Sequence, residues 1–114
     1  MAFGTRVKFG PVREIDFGDV GASYVAIGTP LTDYTRIISF QNGLDQEVYI
    51  SFDGITDNLR MANNSFKLLD LSANKIRDDG LFIATGTQVY IKEVSASVSS
   101  GSFWFETMYA EGGV

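Results

Sequence analysis

The chain has 114 residues, a formal net charge of −5 and an isoelectric point of about 4.5, and it contains neither cysteine nor histidine. This length fits one domain with a single core that needs no disulfide. The missing thiol and imidazole groups exclude thiolate nucleophiles, histidine bases and soft-ligand metal sites, and the acidic charge opposes binding to nucleic acid or to anionic membranes.

The first eleven residues, Met1–Pro11, differ in composition from the rest of the chain. They carry two basic residues and no acid, and they place Phe3 and Phe9 among glycines. This pattern predicts an N-terminal arm (1–11), followed by one domain (12–110) and a short tail (111–114). Because phenylalanine is costly to leave in water, we expect the arm to dock, either on its own domain or on a neighbouring molecule.

Short apolar segments separated by Gly, Asn, Asp and Ser clusters follow the arm, and they are typical of strands. Val48, Ile50 and Phe52 alternate with polar neighbours, as in a strand with one wet face. Helical periodicity is poor, and only Ser72–Asp78 has room for a turn or two. Eight strands at this spacing predict an all-β, single-domain antiparallel sandwich. In chain order they are Val12–Phe17, Ser23–Ile27, Tyr34–Gln41, Gln46–Phe52, Ser65–Leu71, Leu81–Ala84, Thr87–Val94 and Ser102–Ala110.

Turn residues lie between these segments. Asn42-Gly43 tolerates positive φ and predicts a hairpin between the flanking strands. Asp53-Gly54, Asn63-Asn64 and Asp79-Gly80 mark further reversals of the chain.

Candidate chemical groups are few. A calcium loop beginning at Asp53 would need oxygen ligands at its third and twelfth positions, where the chain has Ile55 and Asn64, so a plain turn is favoured. Asp78-Asp79 and Glu106 are the right residue types for a glycosidase pair, but a sequence does not set their separation. No glycine-rich phosphate loop occurs. We therefore expect no catalytic residue, no cofactor and no metal.

The last predicted strand carries large apolar groups on both faces, since Phe103, Phe105 and Tyr109 alternate with Trp104 and Met108. Both faces should be covered, either within the domain or by a partner, where aromatic residues and methionine are enriched. A third interpretation is a sugar-stacking platform that includes Trp104, Tyr90 or Tyr49. The candidate interface residues are Phe3, Phe9, Trp104 and Met108.

Several strand and turn phrases resemble small virion proteins of tailed bacteriophages. They are Val48-Tyr49-Ile50-Ser51-Phe52-Asp53-Gly54, Asn64-Ser65-Phe66, Leu69-Asp70-Leu71, Gly86-Thr87-Gln88-Val89-Tyr90-Ile91-Lys92 and Ser99-Ser100-Gly101-Ser102-Phe103-Trp104, together with Val12-Arg13-Glu14-Ile15-Asp16-Phe17 and Ile27-Gly28-Thr29-Pro30-Leu31 upstream. The resemblance covers most of the chain, and its motifs are structural.

The resemblance implies a jelly-roll-like sandwich that decorates or cements a capsid shell. It implies a small oligomer, a dimer or trimer, that is made in the host cytoplasm, resides in the virion and binds the major capsid protein or other virion proteins. It supplies no catalytic residues. The alternatives are a neck, collar or tail adaptor or fibre-base component of the virion, and a carbohydrate-binding module for receptor recognition.

Overall fold

The computed structural model describes residues 6–32, 35–71 and 83–111. These ranges contain nine short strands and one 3-10 turn, Phe17–Asp19, and they contain no α-helix. The predicted all-β class is therefore confirmed. In chain order the strands are β1 (Arg6–Phe9), β2 (Arg13–Asp16), β3 (Val25–Ala26), β4 (Thr35–Asn42), β5 (Val48–Ser51), β6 (Leu59–Met61), β7 (Ser65–Asp70), β8 (Tyr90–Glu93) and β9 (Ser102–Glu111).

The strands form two antiparallel sheets. The first sheet has the order β1-β9-β4-β7, with β2 also pairing β9, and the second has the order β3-β8-β5-β6. The pairing is nested along the chain, because β1 and β2 pair with β9, β3 with β8, β4 with β7, and β5 with β6. A long antiparallel ribbon rolled up so that its strand pairs alternate between two sheets has the jelly-roll topology. The predicted jelly-roll-like sandwich is confirmed.

The core lies between the two sheets and takes one face of each strand. Phe40 in β4 and Phe103 and Phe105 in β9 are fully buried. The ring centroid of Phe40 lies 5.6 Å from that of Phe105 and 6.2 Å from that of Phe103. Burying a phenylalanine stabilises the fold by about 1.5–3 kcal/mol, so this cluster fixes which face of the two central strands points inward. The predicted alternation in β5 holds for Val48 and Ile50, which are fully buried, whereas Ser51, predicted on the solvent-exposed face, is fully buried as well.

The first predicted strand and part of the predicted arm form one interrupted edge of the first sheet. Phe9 lies opposite Met108, and Arg13 lies opposite Phe105, so three residues of this edge stand against two residues of β9. The extra residue makes a β-bulge. The bulged segment includes Pro11, which has no N–H to donate to a neighbouring strand. The described part of the arm therefore pairs with its own domain.

The hairpin predicted at Asn42-Gly43 is wrong, because β4 and β5 belong to different sheets. The chain turns a corner there. The side-chain amide of Asn42 donates to the carbonyl of Ala62 at 2.9 Å, and its Oδ1 accepts the N–H of Leu44 at 3.0 Å. Residues with turn chemistry serve a corner between sheets as well as a hairpin. Asn63-Asn64 likewise leads from the second sheet to the first, whereas Asp53-Gly54 lies in a true hairpin between β5 and β6.

Strand extents also differ from the predictions. The sequence pattern misses β6, whose three residues are too few to display alternation, and it overestimates the lengths of β3 and β8. Of the predicted strand Leu81–Ala84, only residues 83 and 84 are described, and Ile83 forms an isolated bridge with Thr35. The turn predicted at Ser72–Asp78 and the reversal at Asp79-Gly80 lie outside the described residues.

Candidate docking surface

The outer face of the first sheet is built from alternate residues of its strands. Residues opposite each other in an antiparallel pair share a face, and the neighbours of an inward residue point outward. Since Phe40 and Phe105 are buried in the core, their neighbours along β4 and β9 face outward. By this register the outward residues are Phe9 on β1, Glu14 and Asp16 on β2, Ile37, Ser39 and Gln41 on β4, Phe66, Leu68 and Asp70 on β7, and Ser102, Trp104, Glu106 and Met108 on β9.

A groove of about 370 Å³ lies on this face and is called the outer groove below. Its lining comes from the bulged edge and from strands β9, β4 and β7. Most of the lining is apolar, and one carboxylate belongs to it. The side chains that define the outer groove are Phe9, Val12, Ile37, Leu68, Met108 and Glu106.

Large apolar side chains are strongly exposed on this face. Phe9 exposes 73% of its surface, Phe66 71%, Val12 59% and Leu68 55%. These four are the majority of the six strongly exposed large apolar residues in the described chain. An antiparallel sheet with a free face normally places polar residues outward, and clustered exposed apolar residues mark surfaces that bind a partner.

The bulge in the edge of the sheet brings Phe9 and Val12 together. In an unbroken strand, two residues three positions apart point to opposite faces, but the extra residue of the bulge shifts the phase. Gly10 makes this possible, since its N–H donates to the carbonyl of Thr107 at 3.0 Å and a Cβ at this position would overlap the Thr107 hydroxyl. The edge therefore approaches β9 as closely as only glycine allows.

The structure brings two of the four predicted interface residues together in the outer groove. Phe9 and Met108 are direct cross-strand partners. Trp104 lies on the same face of β9, where it is half-buried, and a Cβ added to Gly43 would lie 3.1 Å from its Cζ3 atom. Phe3 lies outside the described residues.

Four further apolar residues belong to this face, and the sequence pattern does not single them out. A signal was present for Phe66 and Leu68, because they alternate with Lys67 and Leu69 in a strand whose two faces both carry apolar groups, as β9 does. For Val12 and Ile37 no such signal exists, because their place in the groove depends on bulges and on pairing with β9.

Three acidic side chains lie on the same sheet face as the outer groove. Glu106 belongs to its lining, and Glu14 and Asp16 lie on the neighbouring strand. Within the described residues, none of these three carboxylates has a hydrogen bond or an ion pair. No lysine or arginine stands among the outward residues that the register assigns to this face. The surface therefore combines exposed apolar groups with uncompensated negative charge.

The outer face of the second sheet has a different charge organisation. Arg60 donates two hydrogen bonds to the carboxylate of Glu47, at 3.0 and 2.9 Å, and the Lys92 ammonium lies 3.4 Å from Asp57. Burial, followed by the hydrogen bond to Asp57, raises the pKa of Tyr24, whose hydroxyl donates to that carboxylate. Charges on this face are thus neutralised within the chain.

The residues proposed as a sugar-stacking platform lie on opposite sides of the sandwich. Trp104 belongs to the first sheet, whereas Tyr49 and Tyr90 belong to the second. Lys92 and Arg60 stand over the ring of Tyr49, at 5.7 and 5.9 Å from its centroid. These cations lie over the ring of Tyr49 and compete with a sugar for it, whereas stacking of a sugar on Trp104 or on Tyr90 stays a prediction.

The carboxylates considered for chemistry have other surroundings. Asp53 accepts the backbone N–H groups of Thr56 and Ile55, each at 2.8 Å, in the manner of an Asx turn. These bonds hold the pKa of Asp53 far below its usual range. Within the described residues, no group of three or more acidic side chains is placed to hold a metal ion. Glu106 lies on the outer face of the first sheet, and Asp78-Asp79 lies outside the described residues.

Comparisons with known proteins do not identify a relative. No family model, curated protein or solved structure matches the chain. In the described part of the chain, no helix has the length and apolar character of a membrane span.

Proposed function

We propose that this chain is a non-enzymatic structural protein of a bacteriophage virion, a decoration or cement protein that binds the assembled capsid shell and stabilises it. The observation that carries the proposal is the outer groove, where Phe9, Leu68 and Met108 meet on the exposed face of a rigid sheet. The sequence segments that resemble small phage virion proteins support a virion role, and the partner that this resemblance implies is the major capsid protein or another virion protein.

A jelly-roll sandwich suits this role because its two sheets hold each outer face in a fixed shape. Buried phenylalanines fix β4 and β9, and these two strands carry Ile37 and Met108 on their outer side. An exposed site on rigid strands loses little conformational entropy when it binds. The absence of cysteine and histidine from the sequence also supports a binding role in preference to catalysis.

A ligand that binds only the assembled lattice stabilises that lattice by mass action. If two or three copies associate, each small oligomer contacts several shell subunits, and multivalency then raises the total affinity without a large individual interface. A modest groove is sufficient for durable attachment under these conditions.

The test is attachment of purified chain to particles that lack it. The double variant Phe9→Ser/Leu68→Ser should reduce the number of bound copies about 10-fold, because hot spots in apolar interfaces are worth 1.4 kcal/mol or more. Both side chains are largely exposed, so the fold itself should tolerate the changes. Ile55→Ser is the matched control, since Ile55 is 83% exposed but lies in the loop between β5 and β6.

Equal attachment of the double variant and the control would contradict a role for the outer groove. Failure of the unmodified chain to attach, or to co-purify with native particles, would contradict the virion role itself. Densitometry of native particles separates the shell from the neck or tail, because a protein on every shell subunit is present in hundreds of copies and a protein at a single vertex in about a dozen.

A further inference from the structure

We propose that the outer groove selects a protein segment that presents a bulky apolar side chain next to a lysine or arginine, and that Glu106 is the residue that makes this selection. The inference rests on the proposed function and names the chemistry of the partner. It follows from three observations: the volume of the groove, the unpaired carboxylates of Glu14, Asp16 and Glu106, and the absence of lysine and arginine among the described outward residues of the face.

The volume of the groove sets the apolar half of the recognition. A groove of about 370 Å³ lies near the lower end of the ligand-sized range of ~300–1,000 Å³. Phe9, Leu68 and Met108 offer flat and flexible apolar surface in it. Such a site accepts one or two large side chains that project from a partner, because burying them removes apolar surface from water on both sides.

Glu106 sets the charged half of the recognition. Its carboxylate lines the groove and is exposed to water, with no hydrogen bond or ion pair in the described chain. A purely apolar partner would strip water from this charge and give nothing in return. A partner with an adjacent lysine or arginine replaces the lost hydration with an ion pair, and Glu14 and Asp16, farther along the same face, add a longer-range attraction.

The same charges argue against other occupants. A second copy docked face to face would bring two faces of the same negative charge together, and like charges oppose association. Phosphate backbones and anionic lipid heads are repelled for the same reason. Charge complementarity therefore favours a basic and apolar protein surface.

The closing experiment measures charge preference directly. The full chain is titrated with three synthetic peptides that share a phenylalanine-leucine centre and are flanked by lysine, serine or glutamate. Methyl NMR signals of Met108 and Leu68 report on the groove. We expect the lysine-flanked peptide to bind about 10-fold more tightly than the glutamate-flanked peptide, with the serine-flanked peptide between them.

Variants at Glu106 identify the residue responsible. Glu106→Gln should reduce the preference between lysine and glutamate flanks, and Glu106→Lys should reverse it. Glu47→Gln removes the same charge from the opposite sheet, where Glu47 pairs with Arg60, and should leave the preference unchanged. Equal binding of all peptides, methyl signals that do not move, or an unaltered preference in Glu106→Lys would overturn the proposal.

The peptide titration tests the partner chemistry and the particle assay tests the virion role, so either claim can be wrong without the other. If the chain attaches to particles through the groove but shows no charge preference, the inference is wrong and the proposed function stands. If the chain prefers the lysine-flanked peptide but never attaches to particles, the partner chemistry stands and the virion role is wrong.

Discussion

Asn42 is a buried polar residue that ties the two sheets together. It is 2% exposed and lies at the end of β4 in the first sheet. Its Nδ2 group donates to the carbonyl of Ala62, which follows β6 of the second sheet, and lies 3.3 Å from the carbonyl of Gln46. Its Oδ1 accepts the N–H of the buried Leu44. One side chain therefore provides hydrogen bonds to backbone groups at the corner where the chain leaves the first sheet.

Replacing Asn42 should destabilise the protein far more than replacing an exposed asparagine. Asn42→Ala leaves buried backbone groups without partners, and we expect the free energy of unfolding to fall by about 2–3 kcal/mol. Asn42→Asp keeps the acceptor but directs a negative charge at carbonyl oxygens, so its loss should be larger. Urea denaturation measures both changes. Asn63→Ala, at an exposed position, is the control and should change the stability by no more than about 0.5 kcal/mol.

A loss in Asn42→Ala no greater than in the control would show that water can replace these bonds. The corner would then depend on the packing of Leu44, which is fully buried, and not on the side-chain amide of Asn42.

At the scale of elements, the bulged edge made by β1 and β2 determines the outer groove. Gly10 lets this edge lie against Thr107, and the shifted phase puts Phe9 and Val12 on one side. Gly18 offers a contrast, because a Cβ there meets nothing within 4 Å. Of these two glycines, only Gly10 has a steric reason to be glycine.

Gly10→Ala should lower the free energy of unfolding by about 1–3 kcal/mol, the usual cost of forcing a methyl group into filled space. Gly18→Ala should be neutral within about 0.5 kcal/mol. Because the overlap is with the hydroxyl of Thr107, the double variant Gly10→Ala/Thr107→Ala should lose less than the sum of the two single variants. Additive losses in this double-mutant cycle would place the strain elsewhere.

The sequence predicts elements better than it predicts their arrangement. Alternation is a local signal, so the inward residues Val48 and Ile50 could be identified in advance. Turn residues do not report whether the next strand pairs with the last or enters another sheet, which is why the hairpin at Asn42-Gly43 was predicted wrongly. The pairing of β1 with β9 depends on contacts between residues far apart in the sequence, and no local pattern encodes it.

The candidate site was likewise predictable only in part, because its residues could be singled out locally but their contacts could not. Phe9 and Met108 could be singled out as apolar residues that the core need not take, but their contact depends on a register across about 100 residues. Leu68 joins them only because β7 pairs with β4. The charge of the face was likewise not predictable, because Glu14, Asp16 and Glu106 come to share one face only in the folded sheet.

At the scale of the whole molecule, the two outer faces of the sandwich manage charge in opposite ways. The second sheet pairs its charges internally, as in Arg60 with Glu47 and Lys92 with Asp57. On the first sheet, Glu14, Asp16 and Glu106 have no ion pair within the described residues and share the face with exposed apolar groups. Natural sheets use such charges to prevent unwanted association of exposed surfaces. We therefore expect Glu14, Asp16 and Glu106 to have two effects: they select a basic partner, and they oppose association of two copies through this face.

Neutralising these acids should make the outer face associate with itself. The triple variant Glu14→Gln/Asp16→Asn/Glu106→Gln removes three negative charges from a net charge of −5 and leaves every apolar residue of the outer groove in place. Sedimentation velocity should show concentration-dependent association beyond that of the unmodified chain, and Leu68→Ser added to the triple variant should reverse it. A second triple variant, Asp19→Asn/Glu47→Gln/Asp57→Asn, removes the same number of negative charges but leaves the acids of the outer face intact. If both triple variants associate to the same extent, net charge alone keeps the molecules apart, and the placement of acids around the groove has no such role.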